Sequence, residues 1–85
     1  MANYRLLIKP SAAKELENVS AKLRRQLATR IQRLATEPRP ASCEKLPGHD
    51  LYRVRQGAYR VLYAVNDQEQ TVLVIKIGHR REVYR

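Results

Sequence analysis

The apolar residues of this chain keep two different periods, and the change between them near residue 50 limits the folds open to it. Leu23, Leu27, Ile31, Leu34 and Ala35 recur at the spacing of one helix face. From Leu51 the pattern becomes that of strands, over Leu51 to Arg55, Ala58 to Asn66 and Thr71 to Gly78. At the other end, Tyr4 to Lys9 reads as a first strand with Tyr4, Leu6 and Ile8 on one face, and Pro10 ends it by removing a ladder donor. Ser11 is expected to cap a short helix over Ala12 to Asn18, and Ser20 a longer one. Glu37-Pro38-Arg39-Pro40 stops that second helix, because a residue before proline avoids helical angles.

Residues 38–50 read as a connection with Pro47-Gly48 as its turn, and turns at Gln56-Gly57 and Asp67–Gln70 join the last three strands into a meander. The stretch Val72 to Ile77 is apolar on both faces and belongs at the centre of the sheet. The expected fold class is α+β: an antiparallel sheet of about four strands, in the order β-α-α-β-β-β, with an N-terminal helical hairpin on one face.

A chain of 85 residues has room for one domain, taken as residues 1–85. Its hydrophobic share of 44% separates it from a disordered basic tail. With no Phe and no Trp, the five tyrosines carry all the aromatic chemistry. A single cysteine, Cys43, leaves no internal disulfide and no multi-cysteine zinc site. No apolar run approaches the ~20 residues of a membrane span, and residues 1–20 lack the features of a signal peptide, so a cytoplasmic, non-membrane protein is expected. Lys and Arg number 17 against 8 Asp and Glu, a formal charge of +9. That surplus suits nucleic acid, membrane phosphate or an acidic protein without choosing among them.

The arginines are where the sequence becomes specific. With Gln56-Gly57 as a two-residue loop, Arg55 pairs with Ala58 and Arg53 stands opposite Arg60. Alternation then puts Arg53, Arg55 and Arg60 on one sheet face, and Tyr52, Val54, Tyr59, Val61 and Tyr63 on the face the helices cover. Like charges directly opposite across strands cost roughly 0.2–1 kcal/mol, so stability alone disfavours the arrangement and an anionic ligand favours it. Glu69 and Glu82 are the carboxylates considered able to neutralise part of the cluster. Pairing Asn66 with Thr71 places Ile77 opposite Arg60 and His79 opposite Ala58, bringing His79, Arg80 and Tyr84 to the edge of the same face. His49 lies in a loop and carries less weight.

No carboxylate pair, nucleophilic triad, phosphate-binding glycine loop or metal-ligand spacing accompanies this cluster, so neither a metal nor another cofactor is expected. Guanidinium groups with a tyrosine and a histidine fit phosphodiester chemistry in which an RNA 2′-hydroxyl attacks its neighbouring phosphate. Arginine stays protonated and is a poor general base, so Tyr84 or His79 would handle protons, or geometry would supply most of the rate.

The segments Leu51-Tyr52-Arg53-Val54-Arg55, Gly57-Ala58-Tyr59-Arg60-Val61-Leu62-Tyr63 and Ile77-Gly78-His79-Arg80-Arg81-Glu82-Val83-Tyr84 resemble successive strand motifs of the RelE/ParE toxin superfamily. The likeness runs over nearly the whole chain, including the Lys45-Leu46-Pro47-Gly48 lead-in. It implies the toxin of a type II toxin–antitoxin pair, in the branch of ribosome-dependent endoribonucleases. These cleave messenger RNA in the ribosomal A site by 2′-hydroxyl attack, leaving a 2′,3′-cyclic phosphate and a 5′-hydroxyl without a metal. By position, the resemblance makes Arg60 the scissile-phosphate ligand, Arg80 a second phosphate contact able to assist the leaving group, and Tyr84 the residue that orients the nucleotide. Arg53 and Arg55 fall at positions often occupied by lysine, which keeps the charge but removes a tunable base. His79, Arg81 and Arg85 join Arg53 and Arg55 as expected RNA contacts.

The implied partners are an acidic antitoxin that folds on binding, the ribosome with its messenger RNA, and operator DNA reached through the antitoxin. Because the chain ends at Arg85, control by displacement of a C-terminal helix is not expected. The alternatives are a ParE-like DNA gyrase poison, a catalytically weak member acting with its antitoxin as a repressor complex, and a plain basic RNA-binding module. The combination of Arg60, Arg80 and a terminal tyrosine favours the ribonuclease, since gyrase poisons generally lack it.

Overall fold

In the computed structural model, which describes residues 3–79, proline begins a helix as well as ending a strand. Strand β1 covers Arg5–Ile8, and helix α1, Pro10–Glu17, starts with the proline itself in its first turn. Proline's fixed φ and missing amide cost nothing there, because that amide has no helical partner. The expected cap at Ser11 is therefore displaced: Lys9 takes the cap position and makes no side-chain cap bond. Helix α2, Ala21–Arg33, starts as expected, with Ser20 Oγ accepting from the Leu23 amide at 3.3 Å. Its stripe of Leu27, Ile31 and Leu34 is buried.

Five strands form one sheet in the order β1-β5-β4-β3-β2, with β2 at Glu44–Lys45, β3 at Tyr52–Gln56, β4 at Tyr59–Asn66 and β5 at Thr71–His79. The α+β class and the central place of β5 match expectation, and two features extend it. The 38–50 connection contributes the two-residue edge strand β2, antiparallel to β3, and β1 joins β5 in parallel, with Leu6 beside Val72 and Ile8 beside Val74. One sheet face carries Val54, Val61, Tyr63, Val72, Val74 and Ile77, which pack with Ala12 of α1 and the α2 stripe into the core. Where β1 ends, α1 takes over the edge of β5: Glu15 accepts from the Ile77 amide at 3.0 Å and from Lys76 Nζ at 2.9 Å.

The loop after α2 is held to the sheet by polar groups. Tyr63, its ring fully buried, donates its hydroxyl to the Pro38 carbonyl at 2.7 Å, and burial pushes that phenol's pKa up. Arg39 grips the Asp67 carboxylate through both terminal nitrogens, at 3.1 and 2.9 Å, and donates from Nε to the Tyr52 hydroxyl at 3.0 Å. Tyr4 donates to the same carboxylate at 2.7 Å. Among the described residues no helix is long and apolar enough to cross a membrane.

The β3–β4 loop consists of Gly57 and Ala58, one residue later than the sequence suggests. Gly57 has φ of 62° and Ala58 is not left-handed, the pattern of a type II′ turn with glycine first, whose twist matches that of the flanking strands. Nothing lies within 4 Å of a Cβ built on Gly57, so a substitution meets backbone strain alone. Gly57→Ala is expected to lower unfolding free energy by about 1–2 kcal/mol, the left-handed penalty of an L-residue, read by urea denaturation. An unchanged midpoint would contradict this turn.

Candidate active site

The true loop moves the pairing: Arg55 faces Arg60, and Arg53 faces Leu62 rather than Arg60. The change in register is even, so alternation still sends Arg53, Arg55 and Arg60 to one face, away from Val54, Val61 and Tyr63. A second correction comes from β5. The Asn66–Thr71 pairing holds, but an irregularity at Leu62/Tyr63 leaves Ile75 as an extra residue, so Tyr63 pairs with Val74 and Leu62 with Lys76. Beyond it, Gly78 rather than Ile77 stands opposite Arg60, and Ile77 turns into the core beside Val61. Arg60 is thereby covered to 9% exposure, with its guanidinium donating to the Tyr59 carbonyl at 3.3 Å.

His79 pairs with Tyr59, not with Ala58, and its ring meets the Tyr59 ring edge-on, centroids 5.8 Å apart. Tyr59 packs against the core, so His79 stands on the helix side of the sheet and is not brought into the arginine face. Arg80, Arg81, Tyr84 and Arg85 lie outside the described residues.

The group the sequence reading missed is Glu44. From β2 it puts Oε2 at 2.6 Å from Arg53 Nη2 and Oε1 at 3.0 Å from Arg55 Nη2. Among the described residues the neutralising carboxylate is thus Glu44 rather than Glu69, and Glu82 lies outside them. The hydrogen bond from Arg53, helped by the charges of Arg53, Arg55 and Arg60, holds the Glu44 carboxyl below its usual pKa of 4.5. A signal existed: Glu44 and Arg53 are equidistant from the Gly48–His49 peptide, so a hairpin folded there pairs them. A two-residue strand is too short for periodicity to reveal.

The result is a patch with bidentate donors on two strands and a carboxylate laid across two of them. One oxygen to each arginine is also how a phosphate's non-bridging oxygens engage guanidinium groups. Such a face can hold a phosphodiester and place a proton acceptor beside it.

Comparison with known proteins agrees with the motifs. The family model described as the ParE toxin of the type II toxin–antitoxin system, parDE, matches residues 6–84. The chain belongs to the RelE/ParE family of type II toxins. Its fold is similar to that of RelE in the archaeal RelE–RelB complex from Pyrococcus horikoshii OT3, with a TM-score of 0.84, 31% identity, and coverage of 95% of this chain and 99% of that one. For RelE in the intact E. coli RelBE complex the values are 0.79, 30%, 89% and 95%. The curated toxin RelG of Mycobacterium tuberculosis is 38% identical over 34 residues, a stretch that spans 40% of this chain and 39% of that toxin.

Two depressed carboxylates set this toxin's acid behaviour. Glu44 and Asp67, the latter held down first by its hydrogen bond from Arg39, both have folded pKa values below their ordinary 4.5 and 3.8. Their stabilisation is complete above those ordinary values and lost as pH falls through the lower folded ones. Urea midpoints should therefore drop as the buffer is taken from pH 5 to about pH 3, and less steeply in a Glu44→Gln, Asp67→Asn double variant. Equal slopes for the two proteins would show that these pairs contribute nothing.

Proposed function

We propose that this toxin is an endoribonuclease that cuts messenger RNA in the ribosomal A site and so stops translation. The observation that carries the proposal is the convergence of Arg53, Arg55 and the largely covered Arg60 on one sheet face with a carboxylate among them. Family membership adds to it, as does the likeness to RelE structures at 30% identity and above.

In this reading Arg60 grips the non-bridging oxygens of the scissile phosphate and stabilises the charge that grows on them during attack. It pairs with side-chain-free Gly78 and is 9% exposed, so the charge it meets is largely desolvated. Arg53 and Arg55 release Glu44 in part to the substrate and take up the phosphate backbone. Glu44 then accepts the proton of the attacking 2′-hydroxyl, a task no arginine performs near neutral pH. The new bond joins the 2′-oxygen to phosphorus and the bond to the 5′-oxygen breaks, giving a 2′,3′-cyclic phosphate and a 5′-hydroxyl. Arg80 as second phosphate ligand and leaving-group partner, and Tyr84 as the residue that orients the nucleotide, come from the sequence motif. His79, on the other face, is more suited to shaping the strand end through Tyr59 than to contacting RNA.

The partner is an antitoxin encoded as a pair with the toxin. The similar RelE chains were solved in complexes with RelB, and a basic toxin of +9 calls for an acidic chain that wraps it. The ParE name of the matching family keeps one rival in view, the poisoning of DNA gyrase.

Primer extension on messenger RNA in a purified translation system separates the two. Discrete cuts within ribosome-occupied codons are expected, falling at least about 100-fold in rate with Arg60→Ala, the usual loss for a transition-state charge donor. Intact messenger RNA with stalled gyrase supercoiling would establish the rival. Glu44→Gln should lose about 100-fold or more if it is the base, and gain activity if it merely occupies the phosphate site. With Glu44 as base, the acid limb of kcat/KM, which reports the free enzyme, should lie below pH 4.5 and the profile should be flat from about pH 5 to pH 7, because the paired carboxylate is already ionised there. An inflection near pH 6–7 would assign the proton to another group.

A further inference from the structure

Helix α2 carries an all-cationic charge set that its dipole favours only at the C-terminal end, where Arg30 and Arg33 lie in the last turn. Between Ala21 and Arg33 it holds Lys22, Arg24, Arg25, Arg30 and Arg33 and no acidic residue. Lys22, Arg24 and Arg25 sit near the N-terminal end, where the helix dipole disfavours cations. Lys22 and Arg25, and again Arg30 and Arg33, stand three residues apart, a like-charge spacing that destabilises isolated helices. Among the described residues none of the five pairs with a carboxylate; Arg24 is turned onto the carbonyls of Glu17 and Val19, closing the end of α1.

The remaining four line a shallow groove of about 460 Å³ along the outer face of α2, together with Gln26, Thr29 and Gln56, the last residue of β3. From Lys22 to Arg33 it runs about 16 Å along the helix axis. Arg30 is steadied by a 2.6 Å hydrogen bond to Ser42 Oγ. No aromatic ring lines it, so it offers no platform for unstacked bases, and no apolar side chain lines it, so it offers no anchor for an amphipathic peptide helix. What it offers is a row of positive charges and amide groups on one helix face, which suits a phosphate backbone followed by shape.

We propose that this groove docks the sugar–phosphate backbone of double-helical RNA and serves affinity, while the arginine face performs the chemistry. The proposal rests on RNA being the toxin's target and goes further in naming a second surface and the form of RNA it takes. Arg55 directly precedes Gln56 in β3, so the groove and the arginine face meet around the same hairpin turn. An RNA held by its helical part along α2 is therefore within reach of the reactive face by its single-stranded part.

The test uses the isolated toxin bearing Arg60→Ala, to prevent cleavage, with and without Lys22→Gln, Arg25→Gln and Arg33→Gln. Arg30 is left in place because it ties down Ser42. Binding of a fluorescein-labelled RNA stem-loop, and of an unstructured RNA of equal length, is followed by anisotropy across a potassium chloride series. The triple substitution should weaken stem-loop binding at least tenfold at low salt and flatten the slope of log K against log salt by about 2, given ~0.7–0.9 per lost phosphate contact. The unstructured RNA should change much less, and on the Arg60 background KM for cleavage should rise with kcat unchanged. Unchanged stem-loop affinity and slope would overturn the proposal, as would equal losses for both RNAs. Unchanged stem-loop binding with weakened capture of an acidic antitoxin peptide would give the groove to a protein partner and overturn it too. Stem-loop binding that behaves as expected, in a protein whose Arg60 form cuts nothing, would retain the groove and sink the ribonuclease instead.

Discussion

One extra residue in β5 decides what faces Arg60. Val72 and Val74 point into the core from the first part of the strand, and Ile77 points into it from the second, although strict alternation from Val74 would send Ile77 to the opposite face. The irregularity at Ile75 resolves the conflict by resetting the alternation midway. Without it an isoleucine would lie against Arg60 and a glycine would leave a hole in the core under α1. With it the glycine lies against the arginine and the isoleucine fills the core. The same shift carries the Ile77 amide to the edge of the sheet, where Glu15 of α1 receives it, so the packing of the helix and the room around Arg60 have one origin.

The sheet also holds two arginines directly opposite one another. The Arg55–Arg60 pair is repulsive taken alone. Glu44 offsets it from the neighbouring strand, bound to Arg53 and Arg55 and near enough to Arg60 to feel its charge. Glu44 neutralises part of the patch, and on the proposed reading an incoming phosphate takes its place on Arg53 and Arg55. This is an economical way to keep cations clustered in a molecule with few carboxylates. On the proposed reading it also leaves Glu44 beside the substrate once displaced, where a proton acceptor belongs.

Much of this was legible in the sequence, for identifiable reasons. The α2 stripe and the alternating second half are long enough for their periods to be unambiguous, and both appear as expected. The shared face of Arg53, Arg55 and Arg60 survived a wrong loop because the resulting register change is even, and only an odd change moves side chains across a sheet. What stayed hidden has no period. The bulge falls within Val72-Leu73-Val74-Ile75-Lys76-Ile77, where residues on both faces are apolar and composition cannot mark which one is extra. Strand β2 is two residues long, so Glu44 looked like part of a loop. Its only trace was its symmetry with Arg53 about the Gly48–His49 peptide.

The division of charge over the molecule follows from the same constraints. The sheet face holds Arg53, Arg55 and Arg60, with Glu44 across the first two. Further cations must go where the fold leaves solvent, and the outer face of α2 receives four of them without a single acid. Surface lysines and arginines kept only for solubility would be interleaved with carboxylates, which lowers repulsion at no cost to the core. Their segregation here, on a helix with no acidic residue and with like charges three residues apart, suits an external anion. On the proposed ribonuclease reading, a toxin that grips a folded RNA while presenting a small reactive face to one phosphate has use for both surfaces. The β3–β4 hairpin, with Arg55 on one side and Gln56 on the other, is the point at which they join.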